Sequence, residues 1–309
     1  MTQSHISVLL QETIDSFSDV DLKIFVDATC GAGGHSSAIL ERYPSVEKLI
    51  GIDQDPVALA IAEKRLQPWK EKVSLLSGNF SIVLPELPER GIDKVDGIVM
   101  DLGVSSMQLD MAEKGFSFMK DGPLDMRMDP SSELTAADII NDWSEHEIAK
   151  IIRDYGEEKQ WRQAAKTIAE ARKKGPITTT NQLAEILRPI FAWKKKGINP
   201  LTLVFQALRI RVNNELEVLE SVLPSAIDML SPGGRLAVIS FHSLEDRIVK
   251  NAFRYAASDK YDTSGIGGVF LDKDPIVKLV TRKPIIPGDE EIEANPRSRS
   301  AKLRVVEKL

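Results

Sequence analysis

The chain has 309 residues, 42% hydrophobic and 28% charged, an ordinary globular composition that supports a sizeable core in one large or two modest domains. A formal net charge of −6 argues against a protein that coats nucleic acid nonspecifically, although local basic patches still govern encounter with a nucleic-acid substrate. The single cysteine, Cys30, excludes an intramolecular disulfide and argues against a cysteine-based metal site, so no metal is expected; with no leader-like N-terminus and no run of about 18 apolar residues, a cytoplasmic protein without membrane association is expected.

Strands and helices alternate over the first hundred residues. Strands are expected at Ile24–Ala28, Leu49–Asp53, Val73–Ser77 and Gly97–Leu102, with a helix at Pro56–Leu66. Asp55 suits the cap of that helix and Pro56 its first position. This rhythm implies a parallel sheet covered by helices on both faces. The next strand, Arg235–Phe241, follows the turn signal Ser231-Pro-Gly-Gly234. About 130 residues separate Leu102 from Arg235, where a crossover needs only a dozen or more, so an inserted domain is expected.

Apolar spacing of three and four predicts helices in the insert at Ala136–Trp143, Glu145–Tyr155, Glu157–Lys174, Thr180–Trp193 and Leu201–Leu219. Ser144-Glu-His-Glu147 has the form of a capping box. The last helix, carrying Phe205, Leu208, Ile210 and Val212, is expected to rejoin the core. A helix near Leu244–Tyr255, a glycine-rich loop Ser264–Gly268 and strands at Val277–Thr281 and Ala301–Val306 complete the chain. The expected division is a core of residues 1–106 and 207–309 around a helical insertion of residues 107–206.

One string carries the chemistry: Asp27-Ala-Thr-Cys-Gly31-Ala-Gly33-Gly34-His35-Ser36, between the first strand and a helix. Strand, glycine turn and helix in that order place a small molecule at the C-terminal edge of a parallel sheet. Asp53 ends the next strand, where an acid accepts hydrogen bonds from a ribose. As a dinucleotide fingerprint the glycines are incomplete, reading Gly31-x-Gly33-x-x-Ser36. An acid before the turn, Asp27, suits an ammonium group better than a pyrophosphate. S-adenosylmethionine has an ammonium, a carboxylate and a ribose, and no phosphate.

Further strings are Asp101-Leu-Gly-Val-Ser-Ser106, Gly122-Pro-Leu-Asp-Met-Arg-Met-Asp129, Phe205-Gln-Ala-Leu-Arg-Ile210, Ser240-Phe-His-Ser-Leu-Glu-Asp-Arg247 and Asn295-Pro-Arg-Ser-Arg-Ser-Ala-Lys-Leu-Arg304. With His5–Leu10 and the glycine turn, they resemble the MraW/RsmH family of bacterial 16S rRNA cytosine-N4 methyltransferases over nearly the whole chain. Gly197–Val204 departs from that family's His-Pro-Ala-Thr-Arg-like pattern. The resemblance implies an α/β class I methyltransferase (Rossmann-like) core, a mostly parallel sheet, with an inserted helical domain for RNA recognition. It implies methylation, from S-adenosylmethionine, of a cytidine in the decoding region of the small ribosomal subunit.

Carried over by position, Gly33, Gly34 and His35 lie on the methionine side of the cofactor. Asp53 binds the ribose, Phe80 flanks the adenine, and Asp101 and Gln108 complete the pocket. Phe80 also reads as an ordinary core aromatic. Asp101 reads as cofactor ligand, proton acceptor, or both. His242 and Ser243 lie near the same strand ends, Ser243 also reading as a helix cap. Cys30 reads as a packed side chain rather than a nucleophile. A target base must leave its stack to reach a cofactor, so its neighbours need phosphate contacts. Arg127, Lys194, Lys195, Lys196, Arg297, Arg299, Lys302 and Arg304 are the candidates. A methyltransferase acting on another RNA or a small molecule would share the same core.

Overall fold

The computed structural model describes residues 7–191, 199–261 and 272–309; His5, Lys194–Lys196 and the glycine-rich loop at 264–268 lie outside them. The chain opens with a short helix, α1 (Leu10–Asp15). It then alternates β1 (Ile24–Asp27), α2 (Gly34–Arg42), β2 (Lys48–Asp53), α3 (Pro56–Arg65), β3 (Val73–Ser77), α4 (Phe80–Val83) and β4 (Val95–Asp101). Helices α5 (Ser106–Asp110), α6 (Ala136–Asp142), α7 (Glu145–Asp154), α8 (Trp161–Ala171), α9 (Thr180–Leu187) and α10 (Pro200–Asn213) follow. The chain closes with α11 (Glu215–Met229), β5 (Leu230–Ser240), α12 (Ser243–Ala256), β6 (Val277–Leu279), α13 (Asp289–Ala294) and β7 (Lys302–Lys308). No helix among the described residues is long and apolar enough to cross a membrane.

The strands form one sheet in the order β3-β2-β1-β4-β5-β7-β6. Strands β1 to β5 pair in parallel, while β7 runs antiparallel to both β5 and β6. This is a doubly wound α/β sheet whose strand order reverses between β1 and β4, the place where such sheets bind ligands. The antiparallel β7 brings its first residue, Lys302, beside Ser240 at the C-terminal edge of the sheet.

Strand side chains alternate between two apolar layers, as a period of two requires. Val26, Ile50, Ile98, Leu236 and Val238 face a layer containing Leu223, Val249 and Phe253 of α11 and α12. Phe25, Leu49, Val99, Ala237 and Ile239 face another containing Leu9, Phe17, Ile39 and Leu40. With both faces covered, the parallel strands read as continuous apolar runs. Ser231–Gly234 does not precede β5 but lies within it: Leu230 pairs with Val95, the register shifts, and pairing resumes at Arg235 opposite Gly97.

The chain divides into two compact units, one up to Gly103 and from Leu216 on, the other Val104–Glu215. The second unit packs its own apolar core from Ile139, Ile148, Ile152, Ile168, Leu183 and their neighbours. Reciprocal capping boxes start three of its helices, Thr135 with Asp138, Ser144 with Glu147 and Thr179 with Gln182. Three expectations change here. Glu157 has φ +50, so α8 starts only at Trp161. Pro189 follows α9, which ends at Leu187 rather than Trp193. The helix expected over Leu201–Leu219 breaks at Asn214, which is left-handed at φ +48. Its first half does not rejoin the sheet's core: Leu201, Val204, Phe205, Leu208 and Val212 of α10 pack in the second unit. The divisions therefore fall near 103 and 215, not at 106 and 207.

Candidate functional site

The glycine turn follows β1. Gly33 is left-handed at φ +77 and caps α2, a conformation that L side chains rarely adopt. Gly34 leaves no room for a Cβ, which would collide with Ser7 Oγ. Asp27 ends β1 beneath the turn and is fully buried. Its carboxylate accepts the Ser36 hydroxyl at 2.7 Å and the Thr29 N–H at 3.3 Å. Burial pushes its pKa up to about 6 despite those donors. Cys30 is buried beside Ser36, and the loss of solvent raises its thiol pKa, which makes it a packing group and not a nucleophile.

Asp53 ends β2 and is half-buried. Its two oxygens accept the N–H groups of Gly31 and Asp55, each at 2.8 Å, so it ties the turn after β1 to the turn after β2. Burial raises its pKa, opposed by these donors. Asp55 caps α3 through the Val57 N–H, as the sequence indicated. Phe80 opens α4 behind the cap Asn79 and packs, partly buried, against the layer that contains Val26 and Ile50.

Asp101 ends β4. Its backbone N–H donates to Thr29 Oγ1 at 2.6 Å, which fixes the strand end beside the turn. Its Oδ1 is buried and has no hydrogen-bond partner among the described residues. Its Oδ2 lies 3.7 Å from His35 Nδ1. Burial first, then the nearby acids Asp27 and Glu245, raise its pKa well above the usual carboxylate range. His35 itself is buried, with Nε2 3.2 Å from the Val8 carbonyl. A carbonyl only accepts, so Nε2 carries the proton of that bond.

His242 and not Ser243 is the cap of α12; Ser243 is its first helical residue. The Glu245 carboxylate reaches back to the N–H groups of Phe241 and His242 at 2.8 and 3.3 Å, and His242 Nε2 lies 3.2 Å from its other oxygen. The imidazole thus has a structural task of its own. Sequence reasoning missed Glu245, although the spacing from residue 242 to residue 245 is that of a capping box.

The basic candidates separate by environment. Lys302 and Arg304 both pair with Asp246, at 3.2 and 2.7 Å, and Arg304 is buried. Arg297 and Arg299 are exposed on the turn just before β7, at the sheet edge that carries Asp101. Arg127 belongs to the second unit, where its guanidinium grips Asp125 and the carbonyls of Pro130 and Ser132. Its pairing holds the loop together. Gln108 is also in that unit, buried, and its Oε1 accepts the Ser105 N–H at 3.0 Å.

A family model described as the MraW methylase family matches residues 2–309. Ribosomal RNA small subunit methyltransferase H of Protochlamydia amoebophila is 63% identical over 307 residues, 99% of this chain and 97% of that protein. The protein of the same name from Clostridioides difficile is 46% identical, covering 99% of each. Among solved structures, an rRNA methylase from Streptococcus thermophilus aligns at 13% identity and a TM-score of 0.44, over 99% of both chains. Matched along almost its entire length, the chain belongs to the MraW methylase family.

Proposed function

We infer that this protein transfers a methyl group from S-adenosylmethionine to the exocyclic N4 amine of a cytidine in the decoding region of 16S rRNA, in the small ribosomal subunit and hence in the cytoplasm. The observation that carries this reading is the full-length family match together with the acids and glycine turn at the switch point of the sheet.

The residues present suit that donor. The buried, unpartnered Asp101 Oδ1 and the glycine turn beside it leave polar capacity at the strand ends. Asp53 accepts two backbone donors and keeps lone pairs for ribose hydroxyls. Gly33, Gly34 and His35 border the methionine end and Phe80 flanks the adenine. When bound, the sulfonium supplies a methyl group that is already activated.

What the protein adds is orientation and a proton acceptor. Cytosine's exocyclic nitrogen is a poor nucleophile because its lone pair is delocalised into the ring. Asp101 accepts its N–H, localises that pair, and takes the proton that leaves as the N–C bond forms. The acid form of Asp101 is favoured while the site is empty of cations; a neighbouring positive charge favours the carboxylate. Arg297 and Arg299 contact phosphates at the same sheet edge. The unit Val104–Glu215 recognises the RNA, through shape and single-stranded reach.

Incubation with labelled S-adenosylmethionine and small subunits lacking the modification, followed by nucleoside analysis, tests the reading. Label in N4-methylcytidine of 16S rRNA is the expected result. Label in another RNA, or none in RNA, would replace the substrate. Excising Val104–Glu215 behind a short linker should spare cofactor binding and abolish RNA methylation; an excised core that still methylates subunits at the normal rate refutes the role given to that unit.

A further inference from the structure

The residues just before α1 lie across the glycine turn, and a group from the other end of the chain holds them there. Ser7 fills the space beside the Gly34 α-carbon. The Val8 carbonyl is 3.2 Å from His35 Nε2. Leu9 is fully buried yet left-handed at φ +49, a conformation that is strained for leucine. Such a conformation persists only where its surroundings over-determine it. Its carbonyl accepts the Thr13 N–H, inside α1, and its own N–H donates to Glu291 Oε1 of α13 at 2.9 Å. A backbone N–H that donates to a carboxylate oxygen makes one of the stronger contacts open to it.

We propose that Glu291 is a positioning residue for the cofactor turn: by holding the Leu9 N–H it keeps Ser7–Leu9 laid over Gly34 and His35, and so sets the tautomer of the imidazole that faces Asp101. The proposal rests on the reading that this turn and Asp101 serve S-adenosylmethionine. The chain of contacts is short. Glu291 fixes Leu9, the adjoining Val8 carbonyl demands a proton on His35 Nε2, and Nδ1 is thereby left toward Asp101 Oδ2 at 3.7 Å. Without the anchor, the Val8 carbonyl is free to drift and the ring loses one of the contacts that select its tautomer.

The test reads the ring before any cofactor is added. Full-length protein labelled with 15N-histidine gives long-range proton–nitrogen correlations that separate the two tautomers, and the His35 pattern is assigned by its loss in His35→Gln. Wild type and Glu291→Gln, whose amide oxygen still accepts, should both show the Nε2-protonated form. Glu291→Ala should show an averaged pattern. Its affinity for S-adenosylhomocysteine should fall about five- to tenfold, the loss expected for one hydrogen bond. Glu291→Asp keeps the charge and the helix but draws the carboxylate back by one methylene, and should resemble Glu291→Ala, which covers the case of an alanine variant that folds poorly. A wild-type tautomer pattern in Glu291→Ala or Glu291→Asp overturns the proposal. A wild-type protein that shows the pattern but binds no S-adenosylhomocysteine overturns the cofactor reading instead, and leaves the role of Glu291 toward His35 standing.

Discussion

His35 Nδ1 faces Asp101 Oδ2 across 3.7 Å, so an imidazole carried by the helix after β1 meets a carboxyl at the end of β4. With the Nε2 proton committed to Val8, two lone-pair groups confront each other unless a proton lies between them. Burial and the neighbouring acids favour that proton on Asp101. The proton acceptor proposed for the substrate amine is therefore a group whose charge responds to what binds beside it.

Asp101→Asn tests that role. The substitution keeps size and an acceptor oxygen but removes the capacity to take a proton. Single-turnover methylation with cofactor and RNA both saturating isolates the chemical step. We expect a rate about 10²–10⁴ below wild type, the usual worth of general-base help. A wild-type rate with weakened cofactor affinity would leave Asp101 a ligand only.

Asp53→Ala should weaken S-adenosylmethionine binding by more than tenfold, since each charge-assisted hydrogen bond to a ribose hydroxyl is worth about 1.5–3 kcal/mol. The wild-type protein should show no comparable affinity for NAD. Calorimetry measures both, and undiminished binding by the variant removes Asp53 from the ribose.

Asp27→Asn bears on stability rather than on binding. The folded protein holds the Asp27 proton more tightly than the unfolded chain does, with a pKa of about 6 against an ordinary 3.8. The stability linked to it is full below the lower value and is lost as pH rises through the higher one. Asparagine bears no such penalty. The variant should gain on wild type between pH 3 and pH 7 by up to about 3 kcal/mol, read from urea midpoints. A constant difference across that range would show that Asp27 titrates normally.

Arg297→Ala and Arg299→Ala should leave folding intact. Each should lower RNA affinity and reduce the salt dependence of binding by about one unit of slope, as the loss of one phosphate contact does. Arg304→Ala should instead lower the melting temperature, because it strands the half-buried Asp246 carboxylate beside Lys302 alone. Equal effects of all three on RNA affinity, with no change in melting, would place Arg304 at the RNA surface.

By itself the sequence determined what depends on neighbours along the chain. Apolar runs bounded by turn residues marked the inner strands β1, β2 and β4, because strands buried on both faces cannot carry polar alternation. Asp55 and Ser144 announced helix starts because a cap needs only the next three residues. The acid, glycine turn and acid at Asp27, Gly33 and Asp53 were legible for the same reason: they occupy consecutive strand ends. Tertiary structure alone decided which groups far apart in the chain meet. It sent α10 to the core of the second unit, since an apolar helix face fits either of two cores and its spacing does not choose between them. It joined Arg304 to Asp246, two charges 58 positions apart that composition counts as free. It buried Asp27 beneath the turn and set Leu9 on Glu291, 282 positions away, because a hydrogen bond depends on proximity in space and not on order along the chain.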